Sequence, residues 1–353
     1  MKLSDIPMFS TNENEVKTYA ILLRRLSVFS SFILIVYPFL LVFLVLFFIG
    51  SAYLLSAMFA TYWVMFLALE RMRYRLDIRM RGISATFWNY VVHSPFSQSY
   101  FKFSFLAVLI FFGEIAAYYV KMTSYEAAVM MVVVIAILAE ALYLNPWLMK
   151  QSKHAVPLNS DNIISRLRDV TLSEGIPPVI PKTINGKTYK VANAYTVGIF
   201  RPVIYITDYA VENMSEEEVM IILIREISHV KGRDGLKAVI PSIIATAAVM
   251  IMIALVAYWS SMPSMIPFLQ EIMPQMVMAW VIIILAGLVF VPDELRKRSE
   301  TEADKLAVDY TGPDSTVKAL VRLTHLNKQP VVSFSPWKLS LPIRIMKIKA
   351  YAK

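Results

Sequence analysis

In the stretch "LIREISHVKGRDG" (223–235), Arg225, Glu226 and His229 stand at a spacing that could do chemistry. On a helix Arg225 and His229 share one face at i, i+4, and Glu226 is turned by one residue. Two histidines at that spacing hold a metal between them, and a glutamate in the second position serves as general base for a metal-bound water. Here the first of the two ligand positions is an arginine. A guanidinium offers donors and a permanent positive charge but no lone pair for a metal. It can instead bind carboxylates through paired hydrogen bonds. A partner carboxylate is available in "RKRSETEADKLAVDYTG" (296–312), where Glu300 precedes Ala303–Asp304 on an expected helix. A glutamate from a second helix is also a common third ligand of zinc. If Arg225 stands in for a metal ion, its charge is expected to be held by Glu300, with Glu226 or His229 completing the cluster.

The elements that must position these residues are marked locally. Ser215 and Glu218 in "SEEE" form a capping box that opens the helix carrying Arg225, Glu226 and His229. Residues 159–174 read as an amphipathic helix, stopped by Gly175 and Pro177–Pro178. Strand-like runs follow at Lys187–Ala192 and Val203–Thr207, with Gly186 and Arg201–Pro202 as turn signals. The expected unit is α+β.

That unit sits in a chain too apolar for an ordinary soluble protein: 57% of its 353 residues are hydrophobic and 17% charged. A spanning helix needs about 20 apolar residues. Three hairpins meet this requirement, 26–69 (arms 26–49 and 52–69, turning at Gly50–Ser51), 103–148 (arms 103–120 and 127–148) and 238–291 (arms 238–258 and 276–291). Lys and Arg flank the outer ends of these hairpins, for example Arg71, Arg73, Arg75, Arg79 and Arg81, while the turns carry almost none. Both termini are therefore expected to be cytoplasmic. The segments 1–25, 70–102 (a basic loop), 149–237 and 292–353 lie on that side, and the last two can form one domain. The polar start is not expected to act as a cleaved signal. The net charge of +9 fits a lipid surface better than nucleic acid. The absence of cysteine excludes thiolate metal sites and cysteine nucleophiles. Glu114 and Glu140 fall inside the second hairpin, where a carboxylate is costly and frequently functional.

The stretch "VANAYTVGIFRPVIYITDYAVENMSEEEVMIILIREISHVKGRD", two spans, and then "ETEAD" together resemble the HtpX-like membrane zinc metallopeptidases, relatives of the type I CAAX prenyl proteases. The likeness runs over roughly residues 160–325. It implies about six transmembrane helices carrying a cytoplasmic zincin-like (gluzincin) domain. It assigns Glu226 to the general base, His229 and Glu300 to two zinc ligands, and Asp304 to a residue supporting them from behind. It also implies that Asn193 and Ala194 fall on a strand that would pair with extended substrate. The chain departs from the family at three places: Arg225 replaces the first ligand, Phe334-Ser335-Pro336 stands where a Thr-His-Pro stretch is expected, and the hairpin 103–148 is additional. His93, His154 and His325 are the remaining histidines, and His325 is the one best placed to complete a metal site.

With an arginine in the ligand position, no metal cofactor is expected. The leading reading is a membrane pseudopeptidase acting as a scaffold or regulatory subunit, its partners being the bilayer, other membrane proteins or an extended peptide. The alternatives are an active zinc endopeptidase and a transport or energy-complex subunit using Glu114 and Glu140.

Overall fold

The structure, a computed structural model, describes residues 52–93, 154–198, 202–237, 294–328 and 340–352, with isolated positions from 18 to 29 and residues 240 and 244. Among these residues no helix is long and apolar enough to cross a membrane. Most of the arms at 26–49 and 238–258, and all of those at 103–120, 127–148 and 276–291, lie outside the described residues, as do Glu114, Glu140 and Phe334-Ser335-Pro336.

The segment after Leu69, expected as a loop, begins instead as a continuation of helix. Helix α1 runs from Ala52 to Arg81, with Arg79 and Arg81 in its last turn, where cations favour the helix dipole. Gly82, at φ +64, ends it in the left-handed conformation that glycine adopts most cheaply. A short helix α2 (Phe87–His93) folds back against α1. The buried Asp77 of α1 joins three segments: one carboxylate oxygen accepts the Tyr90 hydroxyl at 2.7 Å and the other accepts the Tyr19 hydroxyl.

Helix α3 (Asp161–Ser173) is capped by the Ser160 side chain and ends before Gly175, also at positive φ. It lies beside a four-stranded sheet in the order β1-β2-β4-β3 (Val156–Pro157, Lys182–Ile184, Val203–Thr207, Ala194–Val197). Strand β4 pairs in parallel with β2 and antiparallel with β3, which leaves β3 at the sheet edge. The strand expected at Lys187–Ala192 is instead a 3-10 turn, Lys187–Tyr189, and the strand lies earlier, at Lys182–Ile184. A long-range anchor decides this. Asp208 Oδ1 accepts the backbone N–H of Gly186 at 2.7 Å and of Lys187 at 2.9 Å, using donors that a ladder would need. A Cβ at Gly186 would stand 2.5 Å from Thr207 Cβ, so only glycine fits the approach.

After α4 (Asp208–Asn213), helix α5 (Glu216–Lys231) opens on the expected capping box of Ser215 and Glu218. Its residues from Glu218 to Ile227 are all buried. A helix covered on every side is a core element, and Arg225 and Glu226 are charges inside it. Helical residues 294–311 (α6), then α7 (Pro313–Leu326) and α8 (Leu341–Tyr351), complete the domain. Leu341, Ile345 and Ile348 seat α8 on Val308 and Leu320. Each such burial contributes about 1.5–3 kcal/mol. Arg81 Nη2 donates to Lys190 O at 2.6 Å and Ser84 N to Thr188 O at 3.1 Å, docking the end of α1 onto the turn that leads into β3.

Candidate functional site

The ten buried residues of α5 hold Arg225 where α5, α6 and α8 meet. Its Nη2 donates to Glu300 Oε2 at 2.6 Å and its Nε to Asp304 Oδ1 at 3.0 Å. Glu300 and Asp304 are four apart, so α6 presents both carboxylates on one face. Arg344, from α8, approaches the same acids. Its Nε donates to Asp304 Oδ2 at 2.8 Å and its Nη2 to Asp304 Oδ1 at 2.5 Å, with Glu300 Oε2 at 3.7 Å from Nη2. Two guanidinium ions thus meet two carboxylates, and the cluster balances its charge internally. Burial opposes ionisation of Glu300, yet Arg225 and Arg344 hold its carboxyl down at about 2. The same acids raise the pKa of Arg344 despite its burial.

Glu226 and His229, expected to complete the shell of Arg225, face other partners. One residue beyond Arg225, Glu226 is rotated toward β3, where Thr196 Oγ1 donates to Glu226 Oε2 at 2.8 Å and to its carbonyl at 3.2 Å. Burial pushes the Glu226 carboxyl up, against the opposing pull of His229 and the Thr196 hydroxyl. His229 Nδ1 lies 2.8 Å from Asp234 Oδ2 and 2.9 Å from Ser299 Oγ, and Ser299 also donates to Asp234. Burial works against the imidazolium, but Asp234, Glu226 and Glu300 outweigh it and raise the His229 pKa. Asp234 and Ser299 meet the same ring nitrogen, so the three do not form a hydroxyl–imidazole–carboxylate relay, which needs both nitrogens. Asp304, expected to stand behind the ligands, contacts Arg225, the residue in the first ligand position.

Asn193 and Ala194 lie at the start of the edge strand. Asn193 N donates to Thr207 Oγ1 at 3.0 Å, its carbonyl accepts Thr207 N at 2.9 Å, and Ala194 is buried. The lead-in is clamped by Asn327, whose side chain accepts Ala192 N at 3.0 Å and donates to Ala192 O at 2.6 Å. His154 is exposed, and the side chain of His93 lies outside the described residues. His325 ends α7, where burial, Arg322 and Lys328 lower its pKa. Among the described residues no three His, Asp or Glu side chains converge as a metal-holding group, so His325 does not join His229 and Glu300.

Arg344, Thr196, Ser299 and Asn327 were not singled out by sequence. A faint signal existed for Arg344, a lone arginine next to the apolar stripe of Leu341, Ile345 and Ile348. Asp234 appeared only as part of the "GRD" that follows the helix, with no role attached.

The profile of the family described as Peptidase family M48 matches residues 157–350, more than half of the chain and nearly all of the described α+β elements. Among solved structures, the crystal structure of Ste24p from S. mikatae superposes with a TM-score of 0.51 at 15% identity, covering 95% of this chain and 88% of that one. At that identity the likeness is one of fold. No curated protein sequence matches the chain significantly.

Proposed function

We propose that this chain, which belongs to peptidase family M48, is an HtpX-like integral-membrane pseudopeptidase. In this reading it is a non-catalytic scaffold or regulatory subunit of a membrane protein complex, with the peptidase-like domain and both termini cytoplasmic. The observation that carries the reading is the 2.6 Å contact of Arg225 with Glu300, a cation at the family's first ligand position bound to the family's third ligand.

Family members are typically zinc metallopeptidases, and the donor set here does not fit that ion. The guanidinium has no lone pair, its positive charge would repel zinc, and Glu300 is already engaged by two arginines. His229 alone leaves an ion far short of four ligands. In this reading Arg225 takes over the electrostatic task of the metal, tying α5 to α6 although the segment 238–291 separates them in sequence. Glu226 remains beside the edge strand without a metal-bound water to deprotonate. Among the described residues no strand pairs with the outer edge of β3, and such an edge is suited to pairing with an extended peptide, which needs backbone hydrogen bonds but no catalysis.

Metal content tests this reading. Protein purified in the presence of zinc should hold well under one ion per chain, and a chelator should leave its Tm unchanged. Stoichiometric zinc with a chelator-sensitive Tm would support the competing reading, an active zinc endopeptidase using Glu226, and would overturn this one.

A further inference from the structure

Lys190 closes the 3-10 turn before β3 in the left-handed conformation, at φ 51 and ψ 45. That conformation is unfavourable for a residue with a Cβ and persists only where neighbouring groups hold it. The groups that hold this turn come from three remote elements. Asp208 accepts the backbone N–H of Gly186 and Lys187 at its start. Asn327, which caps α7, clamps Ala192 two residues after Lys190. Between these anchors the Lys190 carbonyl accepts Arg81 Nη2 at 2.6 Å, and the Thr188 carbonyl accepts Ser84 N at 3.1 Å. Both donors belong to the end of α1 and its link to α2. Tyr74 fixes that link, since its hydroxyl donates to Ala85 O at 2.9 Å and its ring lies 5.4 Å from that of Phe87. Asp77, four residues before Arg81 and so on the same face of α1, accepts the hydroxyls of Tyr90 and Tyr19. Burial raises the Tyr195 pKa, and Glu226 and Arg81 act on its hydroxyl with opposite sign, which puts the Arg81 guanidinium within electrostatic reach of β3 itself.

We infer that Arg81 is a positioning residue that couples α1 to the edge strand, so that the order of β3 depends on how α1 is docked. Asp208 and Asn327 belong to the peptidase-like domain, so of the three anchors only that of α1 reaches outside it. Helix α1 is continuous from Ala52 to Arg81. On the membrane reading proposed above its first half lies in the bilayer, and a rigid helix carries a tilt at one end to the other. A tilt that withdraws Arg81 frees the Lys190 carbonyl, and Lys190 is then released from the left-handed region. The strand that follows loses its fixed start. Such coupling is reciprocal: a peptide paired with β3 favours the docked position of α1.

The inference rests on the proposed function for the membrane and the peptide, and its test separates the two. Amide exchange of the full chain is followed by mass spectrometry in detergent. Arg81→Gln should speed exchange across residues 187–197 by about tenfold and leave that of α5 unchanged. Arg81→Lys should restore most of the protection, because an ammonium still donates to the carbonyl. Arg81→Gln/Lys190→Gly should restore it as well, because glycine holds the left-handed conformation without an outside donor. A general loss of stability would speed exchange in α5 too and would not respond to residue 190. The wild type is then compared in phosphatidylcholine bilayers of 14-carbon and 18-carbon chains, whose thickness difference changes helix tilt. Exchange across 187–197 should differ about threefold between the two bilayers, and the difference should vanish in Arg81→Gln. No response to Arg81→Gln, or no rescue by Lys190→Gly, overturns the positioning role. Equal exchange of the wild type in both bilayers overturns the coupling to α1. Stoichiometric zinc together with the expected exchange pattern overturns the pseudopeptidase and leaves the coupling standing. Zinc-free protein whose β3 ignores Arg81 does the reverse.

Discussion

Truncating the members of the buried charge cluster one at a time should produce an order set by its geometry. The side chains of Arg225 and Asp304 are 7% and 6% exposed, and that of Glu300 is 29% exposed. Arg225→Ala removes two charge-assisted hydrogen bonds, each worth about 1.5–3 kcal/mol. It leaves Glu300 only the 3.7 Å approach of Arg344. The expected loss is about 3–5 kcal/mol, the range for breaking a buried pair. Glu300→Ala should cost less, about 1.5–3 kcal/mol, because Arg225 keeps Asp304 and the site is partly wet. Asp304→Ala should cost most, since it leaves two buried guanidinium ions with one carboxylate between them. In the double variant Arg225→Ala/Glu300→Ala the second change removes a group that has already lost its main partner. Its loss should therefore fall short of the sum by about 1.5–3 kcal/mol. Pulse proteolysis of the full chain in urea, in detergent, gives the required free energies. Losses at 225 and 300 that add within about 0.5 kcal/mol would refute the cluster, as would a Glu300 variant that costs as much as the Asp304 variant.

Arg225→His, alongside Glu226, His229 and Glu300, rebuilds a three-ligand set and should gain close to one zinc per chain by elemental analysis. A variant still without zinc would mean that Arg344 alone keeps Glu300 committed. Glu300 titrates near 2 in the fold against an ordinary 4.5, so its stabilisation is complete above about pH 4.5 and is lost as the pH falls toward 2. That difference is worth about 3 kcal/mol, and the acid limb of the stability curve should flatten in Glu300→Gln; an unchanged slope would count against the pairing. Asn327→Ala should cost about 1–3 kcal/mol by leaving Ala192 N–H and C=O without the clamp, and should speed amide exchange at the start of β3. Because the chain has no cysteine, single cysteines report topology on a clean background. Those at positions 50, 122 and 267 should label from outside and those at 153 and 338 only from inside, and a protected position 267 would overturn the expected arrangement.

Local signals in this chain proved legible because they act through backbone groups only a few residues apart. The Ser215–Glu218 box and the Gly175 stop each satisfy or terminate a ladder within one turn, so their residue types suffice to place the start of α5 and the end of α3. The spacing of Arg225 and Glu226 likewise determines that they leave α5 in different directions. The order of the motifs was enough to read a peptidase-family domain, and the family match covers that span. What the two residues meet was a different matter. Arg225 selects among acids brought by α6, and Arg344 arrives from α8, more than a hundred residues further along the chain. The 3-10 turn at Lys187–Tyr189 shows the same limit, since Asp208 claims backbone donors that the local pattern had offered to a strand. Residue types and spacing by themselves determined which groups could do chemistry and that the arginine cannot bind a metal, because a guanidinium lacks a lone pair in any fold. Only the tertiary structure decided that Asp304 and Arg344, rather than Glu226 and His229, complete the cluster. Charges in a buried site pair with whatever packing brings within hydrogen-bond reach, and packing here joins helices that are remote in sequence.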